Sequence, residues 1–368
     1  MTAAADADLI PARRPPASET GALGWARHNL FSGWLNTIIT IVAAFVAYKV
    51  IWGALSYTVF NAVWTGTPQT CQDMLGKGAC WLAIQDRYRF ILFGPFDYDQ
   101  QWRGALVIFL FVAMVGLSAI RRFWGKKLIY GWVAALAVVL WLMYGGLGLK
   151  VVETSKWGGL PLTLLLAFAG IIFAFPLGIV LALGRRSHMP AIKALCVAYI
   201  ELIRGVPLIS VLFMASVMFP LFLPENITID KVLRAQVGII LFTAAYTAEA
   251  IRGGLQAVPK GQYEAADALG LGYWRKMSLI VLPQALKISI PSIVNNFIST
   301  LKDTSLVTII ALYDLLNTSK IAFNEPQWRS FFFDGFVVAG LIFFVFCFSI
   351  SRISIKIERV LDVGHKRR

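Results

Sequence analysis

Residues 249–291 read EAIRGGLQAVPKGQYEAADALGLGYWRKMSLIVLPQALKISIP, and the rest of the chain is read outward from them. Glu264-Ala265-Ala266-Asp267-Ala268-Leu269 are good helix formers with acids in the first turn, where the helix dipole favours negative charge. Gly270 follows where a left-handed C′ residue ends a helix. A second amphipathic stretch, Tyr273 to Leu282, then runs into Pro283. The pattern predicts two short helices at an angle, lying at a membrane surface.

The surroundings are apolar. Hydrophobic residues make up 58% of 368 positions and charged residues 15%, against about 25% charged in soluble domains. A hydrocarbon core about 30 Å thick takes roughly 20 apolar residues per helix. Eight segments qualify: 36–59, 104–120, 128–149, 160–184, 195–222, 235–250, 284–313 and 332–351. The expected fold is therefore an all-α polytopic membrane protein of about eight transmembrane helices. Pro207 and Pro220 interrupt the fifth span, and Pro291 with Lys302-Asp303 interrupts the seventh, so both are expected to be kinked or broken.

The net charge of +14 is explained by topology. With both termini cytoplasmic, 21 of the 34 Lys and Arg fall inside, 10 fall outside, and Lys49, Arg204 and Lys302 fall within spans. This bias follows the positive-inside rule. No basic stretch interleaves with an aromatic platform, so nucleic acid is not an expected partner; membrane lipid is. The first 28 residues lack an apolar core before a small-residue cleavage site and read as a cytoplasmic tail without a cleavable signal. Loop character divides the chain into a tail (1–30), three spans with a large outside loop at 61–103 (31–155), five spans with the inside segment 251–283 (156–352), and a basic tail (353–368).

Chemistry-bearing residues are sparse. No GxxxxGK[ST] phosphate loop occurs, and His28, His188 and His365 lie far apart without HExxH or GxSxG spacing. Neither a catalytic cluster nor a metal site is expected. Cys196 and Cys347 read as packing residues within spans. Cys71 and Cys80 share the outside loop, with Gly76 and Gly78 between them, and are either a disulfide, the preferred reading, or two free surface thiols.

Charges within spans cost about 2.5–3.5 kcal/mol on insertion scales and call for a reason. Glu201 with Arg204, and Glu249 with Arg252, stand at i,i+3 and can pair along their own helices; a pathway role is the alternative. Lys302-Asp303, followed by Thr304-Ser305, suits a helix break facing a cavity, with a buried intersubunit ion pair as the alternative. Lys49 is expected to snorkel or to pair with a neighbour.

The spacing Glu264-Ala265-Ala266, three residues, Gly270, nine residues, Ile280, one residue, Leu282-Pro283 resembles in full the EAA loop of ABC-importer permeases. The stretches TLLLA (163–167), YIELIRGVPLI (199–209), AAYTAEAIRGGLQAVPKGQYEAADALGLG (244–272) and LPQALKISIPSIVNNFISTLKDTSL (282–306) resemble the polar-amino-acid branch of that family. The extra spans before residue 155 resemble the long, M-type permease subunits of general L-amino-acid uptake systems. The resemblance implies a type I ABC-importer permease core in the last five spans of a bacterial inner-membrane protein. It further implies that Glu264, Ala265, Ala266, Gly270, Ile280, Leu282 and Pro283 couple to an ATPase subunit. The implied partners are a second, different permease, two ATPase subunits and a periplasmic amino-acid-binding protein. ATP and magnesium would sit on the ATPase, with no cofactor in this chain. For a zwitterionic substrate, the pathway candidates are Asn295, Asn296, Ser299, Lys302, Asp303, Thr304, Tyr246, Glu249 and Arg204. The competing readings are an ion-coupled secondary transporter, which gives no reason for an EAA loop, and a membrane-embedded enzyme, which lacks a catalytic cluster.

Overall fold

A computed structural model of the protein describes residues 21–224 and 227–361; most of the N-terminal tail, residues 362–368 and His365 lie outside them. The chain forms two compact units, Met1–Trp81 and Leu82–Arg368.

The first unit is built on helix α1, Trp34–Leu55, prolonged by a π turn at Ser56–Phe60. Its residues are apolar on all sides, and none is buried. Polar groups near its start are absorbed locally: the Thr37 hydroxyl donates to the Gly33 carbonyl (2.9 Å) and Thr40 to Leu30 (2.8 Å). A short bridge between Val63 and Cys80 closes the loop that follows.

The second unit begins within α2 (Trp81–Phe93) and continues through α3 (Gln101–Ser118), α4 (Lys126–Tyr144) and α5 (Gly159–Arg185). Next come α6 (Pro190–Gly205), α7 (Leu208–Phe213, with π and 3-10 turns to Phe222), α8 (Lys231–Ala257) and α9 (Lys260–Ala268). The unit ends with α10 (Leu282–Asp303), α11 (Leu315–Ile321) and α12 (Phe332–Leu361). Helix α8 is the centre, packed most extensively on α5 and then on α10. Small residues allow this close approach. A Cβ on Gly178 of α5 would stand 2.9 Å from Thr247, and one on Gly254 of α8 only 2.3 Å from the Ala285 carbonyl oxygen.

Among the described residues, six helices are long and apolar enough to cross a membrane, and a seventh span is added if α6 and α7 form one broken span. That break turns the chain by 104° at Val206-Pro207. Val206 is extended (φ −113°, ψ 137°), as proline requires of the residue before it. The expected span 235–250 lies within α8, a 27-residue helix that is not among those six; it carries Arg234, Gln236, Glu249 and Arg252. Of the two expected interruptions, Pro291 does not break the helix: α10 runs through it. The break expected at Lys302-Asp303 is present: α10 ends at Asp303 and gives way to 3-10 turns over Thr304–Ile310. Thr304 and Ser305 donate to the Leu301 and Lys302 carbonyls (2.7 and 2.8 Å), satisfying groups that the helix end would otherwise leave bare.

Arg103, assigned to the outside loop by sequence, is fully buried in α3. It donates to the carbonyls of Leu142 (2.6 Å) and Lys150 (2.9 Å) and to Gln100 Oε1 (3.1 Å). Its guanidinium thereby ties α3 to the end of α4.

Candidate functional site

Helix α9 begins at Lys260, one turn before the expected start, which places Glu264 in its second turn. Its end follows the predicted grammar. Gly270 is left-handed (φ +69°), its N–H donates to Asp267 O (2.9 Å), and the Leu271 N–H donates to Ala266 O (3.1 Å). These two bonds are the Schellman pair. Ala266 is fully buried, whereas Glu264, Ala265 and Leu269 are exposed. The motif thus has two sides: a small residue lets the helix lie close to the bundle, and the acid and its neighbours face outward.

The stretch after Gly270 is not a separate second helix. Tyr273–Lys276 passes through a π turn, Met277–Val281, directly into α10, with Pro283 just past that turn. Trp274 and Leu279, like Leu269, are largely exposed, giving the segment an apolar outward surface. Its frame is held by specific bonds. Tyr263 donates to Leu255 O (2.9 Å), Arg186 Nη1 donates to Leu255 O (2.8 Å) and Tyr263 Oη (2.9 Å), and Gln284 donates to Gln262 (3.0 Å). Lys276 pairs with Asp267 (2.5 Å).

The remaining candidates fall into two groups. Asn295, Asn296, Ser299, Lys302 and Asp303 are spaced along one face of α10. That face is exposed or half-buried in the chain, while Ala285, Ser289, Ile293, Thr300 and Leu301 are buried. Thr304 is buried at the helix end.

Arg204, Tyr246 and Glu249 form the second group, where α6 meets α8. The Arg204 guanidinium lies over the Tyr246 ring (5.6 Å to its centroid) and 3.7 Å from Glu249 Oε2. Arg252 donates to Glu249 Oε1, its Nε at 2.9 Å. The expected Glu201–Arg204 pair is replaced by contacts between helices: Glu201 meets Arg185 of α5 at 2.8 Å.

Residues 174–359 match the family model for the binding-protein-dependent transport system inner membrane component. Over 362 residues the chain is 47% identical to the inner membrane amino-acid ABC transporter permease protein YhdY of Escherichia coli K12, covering 96% of this chain and 97% of that protein. The chain belongs to this family. It is 36% identical to the Rhodobacter capsulatus permease protein BztC of a glutamate/glutamine/aspartate/asparagine transport system, with 98% of both chains covered. The crystal structure of an amino acid ABC transporter with histidines covers 55% of this chain and 91% of that one, at 32% identity and a TM-score of 0.50.

The protein is thus an inner membrane permease component of a binding-protein-dependent importer. It is a transport subunit and not an enzyme, and ATP hydrolysis falls to a separate ATPase. In this permease, sequence reasoning missed Arg185 because the Arg185-Arg186 doublet at the end of a span reads as topology. Only the placement of Glu201 and Glu249 beside it reveals the pairing. Cys71 and Cys80 are joined in the first unit, their Cα atoms 5.6 Å apart. Outside the spans, Asp97 lies 2.7 Å from Lys156 and 3.2 Å from Lys150, and those hydrogen bonds hold its carboxyl below the ordinary carboxylate range.

Proposed function

We propose that this permease imports L-amino acids and that 251–283 is the surface through which it couples to its ATPase. The observation that carries the reading is the capped α9, with its buried Ala266, exposed Glu264 and left-handed Gly270. A short helix locked by a cap and by Tyr263 can transmit force, where a flexible loop would absorb it. Relatives named as amino-acid permeases support the substrate class. The polar face of α10 supports a path lined by Asn295, Asn296, Ser299, Lys302 and Asp303, completed by a second membrane subunit. Uncharged amides and hydroxyls beside one cation and one anion suit a zwitterion.

The proposed assembly contains a second, different permease, two ATPase subunits and a periplasmic binding protein. The 21-to-10 cation bias supports eight spans with both termini cytoplasmic, α8 being the sixth. In that arrangement 251–283 would face the ATPase and the Cys71–Cys80 loop the oxidising side.

Gly270→Asp tests the coupling surface. A side chain at φ +69° strains the backbone by about 1–2 kcal/mol. Apart from its own chain neighbours, no described atom lies within 4 Å of the new Cβ, so the bundle itself is spared. Membrane abundance and pairing with the second permease are expected to stay normal, while ATPase recruitment, substrate-stimulated hydrolysis and uptake collapse. Wild-type uptake by this variant would sink the reading.

A further inference from the structure

We propose that Glu249 is the hub of an ion-pair latch joining α5, α6 and α8, whose looser members re-pair as the transport path opens and closes. The inference rests on the reading of 251–283 as the coupling surface.

Three arginines surround two glutamates here, and their contacts are unequal. Glu249 Oε1 takes the hydrogen bonds of Arg252, one turn further along the same helix. This pair travels with α8 and survives any rigid movement of that helix. Oε2 faces the other helices, 3.4 Å from Arg185 Nη1 of α5 and 3.7 Å from Arg204 Nη1 of α6. It is buried without a hydrogen bond, and so is Arg204 Nε. A buried carboxylate oxygen held near two cations, but bonded to neither, calls for an explanation. A position from which it can close on either cation supplies one.

The cations have alternatives too. Arg204 sits between the Glu249 carboxylate and the Tyr246 ring, one turn apart on α8. Arg185 sits between Glu249 and Glu201. Each contact between helices can therefore be exchanged for another without stranding a buried charge.

The cluster also lies between two mechanical elements. Arg204 stands just before the 104° break between α6 and α7. Arg185 adjoins Arg186, which grips the Leu255 carbonyl and Tyr263 of α9. A shift of α9 is thereby passed to the Arg185 side of the cluster, and the Arg204 side meets the break. Both arginine-bearing motifs quoted above, YIELIRGVPLI and AAYTAEAIRGGL, meet at this point, which gives their charges a shared purpose.

Intermediacy alone does not establish coupling; a double-mutant cycle does. The complete transporter, reconstituted in vesicles, would be compared as wild type, Glu249→Gln, Arg204→Gln and the double variant. The readouts are ATPase recruitment and ATP hydrolysed per substrate imported. Each single variant is expected to recruit ATPase normally and to raise that ratio about fivefold or more, the lower end of measured coupling between sites. The double variant is expected to be no worse than the worse single one. Unchanged ratios, or effects that multiply, would overturn the latch. So would loss of ATPase recruitment by Glu249→Gln, which would assign the cluster to the docking surface. If Glu249→Gln fails to insert, Arg204→Gln alone decides, since a wild-type ratio there also overturns the latch. Failure of the coupling-surface reading is read separately, from recruitment by Gly270→Asp.

Discussion

Helices α1 and α8 invert the usual relation between hydropathy and burial. Helix α1 has a single charge in 22 residues, and none of its residues is buried. Helix α8 has Lys231, Arg234, Glu249 and Arg252 in 27 residues, with Gln236, Thr243 and Thr247 besides, yet 12 of its residues are buried. If α1 faces lipid, the difference lies in the solvent. A helix that meets lipid on all sides has no partner for a polar side chain, so its sequence must be uniformly apolar. A helix surrounded by protein finds partners: Thr243 meets Thr300 at 3.1 Å, Gln236 donates to Leu166 O at 3.3 Å, and Glu249 meets three arginines. Hydropathy therefore ranks contact with lipid. The centre of the bundle is marked by small and polar residues.

The strongest test exchanges one glycine in each helix. In Gly254→Val of α8, the new Cβ would stand 2.3 Å from the Ala285 backbone oxygen and 2.8 Å from Ser289 Oγ. The carbonyl cannot rotate away, so α8 and α10 must separate. Overpacking typically costs about 1–3 kcal/mol and more when backbone must move. Loss of membrane abundance and of assembly is expected, measured by quantitative blotting and co-purification. The Cβ of Gly53→Val in α1 meets no described atom within 4 Å beyond its own helix backbone and chain neighbours, and the variant is expected to express normally. Equal tolerance of both changes would break the comparison.

What could be read from sequence follows the same division. The α9 cap was legible because it is local: good helix formers, then a glycine at C′, specify the bonds at 267 and 266 without reference to any neighbour. The α6–α7 break was legible because proline restricts its own φ and that of Val206. Pro291 does not end α10 because a proline inside a membrane helix frees one carbonyl, which the surrounding structure can absorb. Pairs between helices were illegible. Glu201 had an arginine at i+3 and bonds instead to Arg185, whose position depends on how α5 crosses α6. Arg103 reads as a loop cation, yet α4 brings carbonyls to it.

A moderate effect is expected at Asp314, just past the end of the span that contains α10. Its carboxylate caps α11, accepting from the N–H groups of Leu316 (2.9 Å) and Asn317 (3.3 Å) and from the Thr308 hydroxyl (2.8 Å). Burial nevertheless dominates and pushes its pKa up to about 6. Because the folded value is raised above the unfolded one, the neutral carboxyl contributes stability that is full below pH ~4 and is lost as pH rises through about 6. The loss is up to about 3 kcal/mol. Asp314→Asn keeps an acceptor for the cap and has no charge to desolvate. Its thermal midpoint in detergent should be nearly flat between pH 4 and pH 7, where the wild type's falls. Parallel curves for the two proteins would show that the cap bonds outweigh burial.

The smallest effect is expected at Lys49, the one charge in α1, and it sharpens the comparison from the lipid side. Lys49 lies 11 residues before Phe60 in a helical span of 27, about 16 Å from that end of a rod about 40 Å long. It is therefore near the middle of the hydrocarbon layer, where a lysine costs about 2.5–3.5 kcal/mol on insertion scales. The Phe45 ring, 5.6 Å away, returns a small part of that cost. Glu249 of α8, by contrast, is surrounded by opposite charge. If α1 faces lipid, Lys49→Leu removes a cost and only the weak contact with Phe45. Insertion of the Trp34–Phe60 segment should become more favourable in a translocon assay, with assembly and uptake near wild type. Neutralising Glu249 is expected to uncouple the transporter, so the two charges should respond in opposite senses. Loss of assembly in Lys49→Leu would mean that an acid on another subunit meets this lysine. Helix α1 would then be an interface helix, and its bare surface a property of the isolated chain.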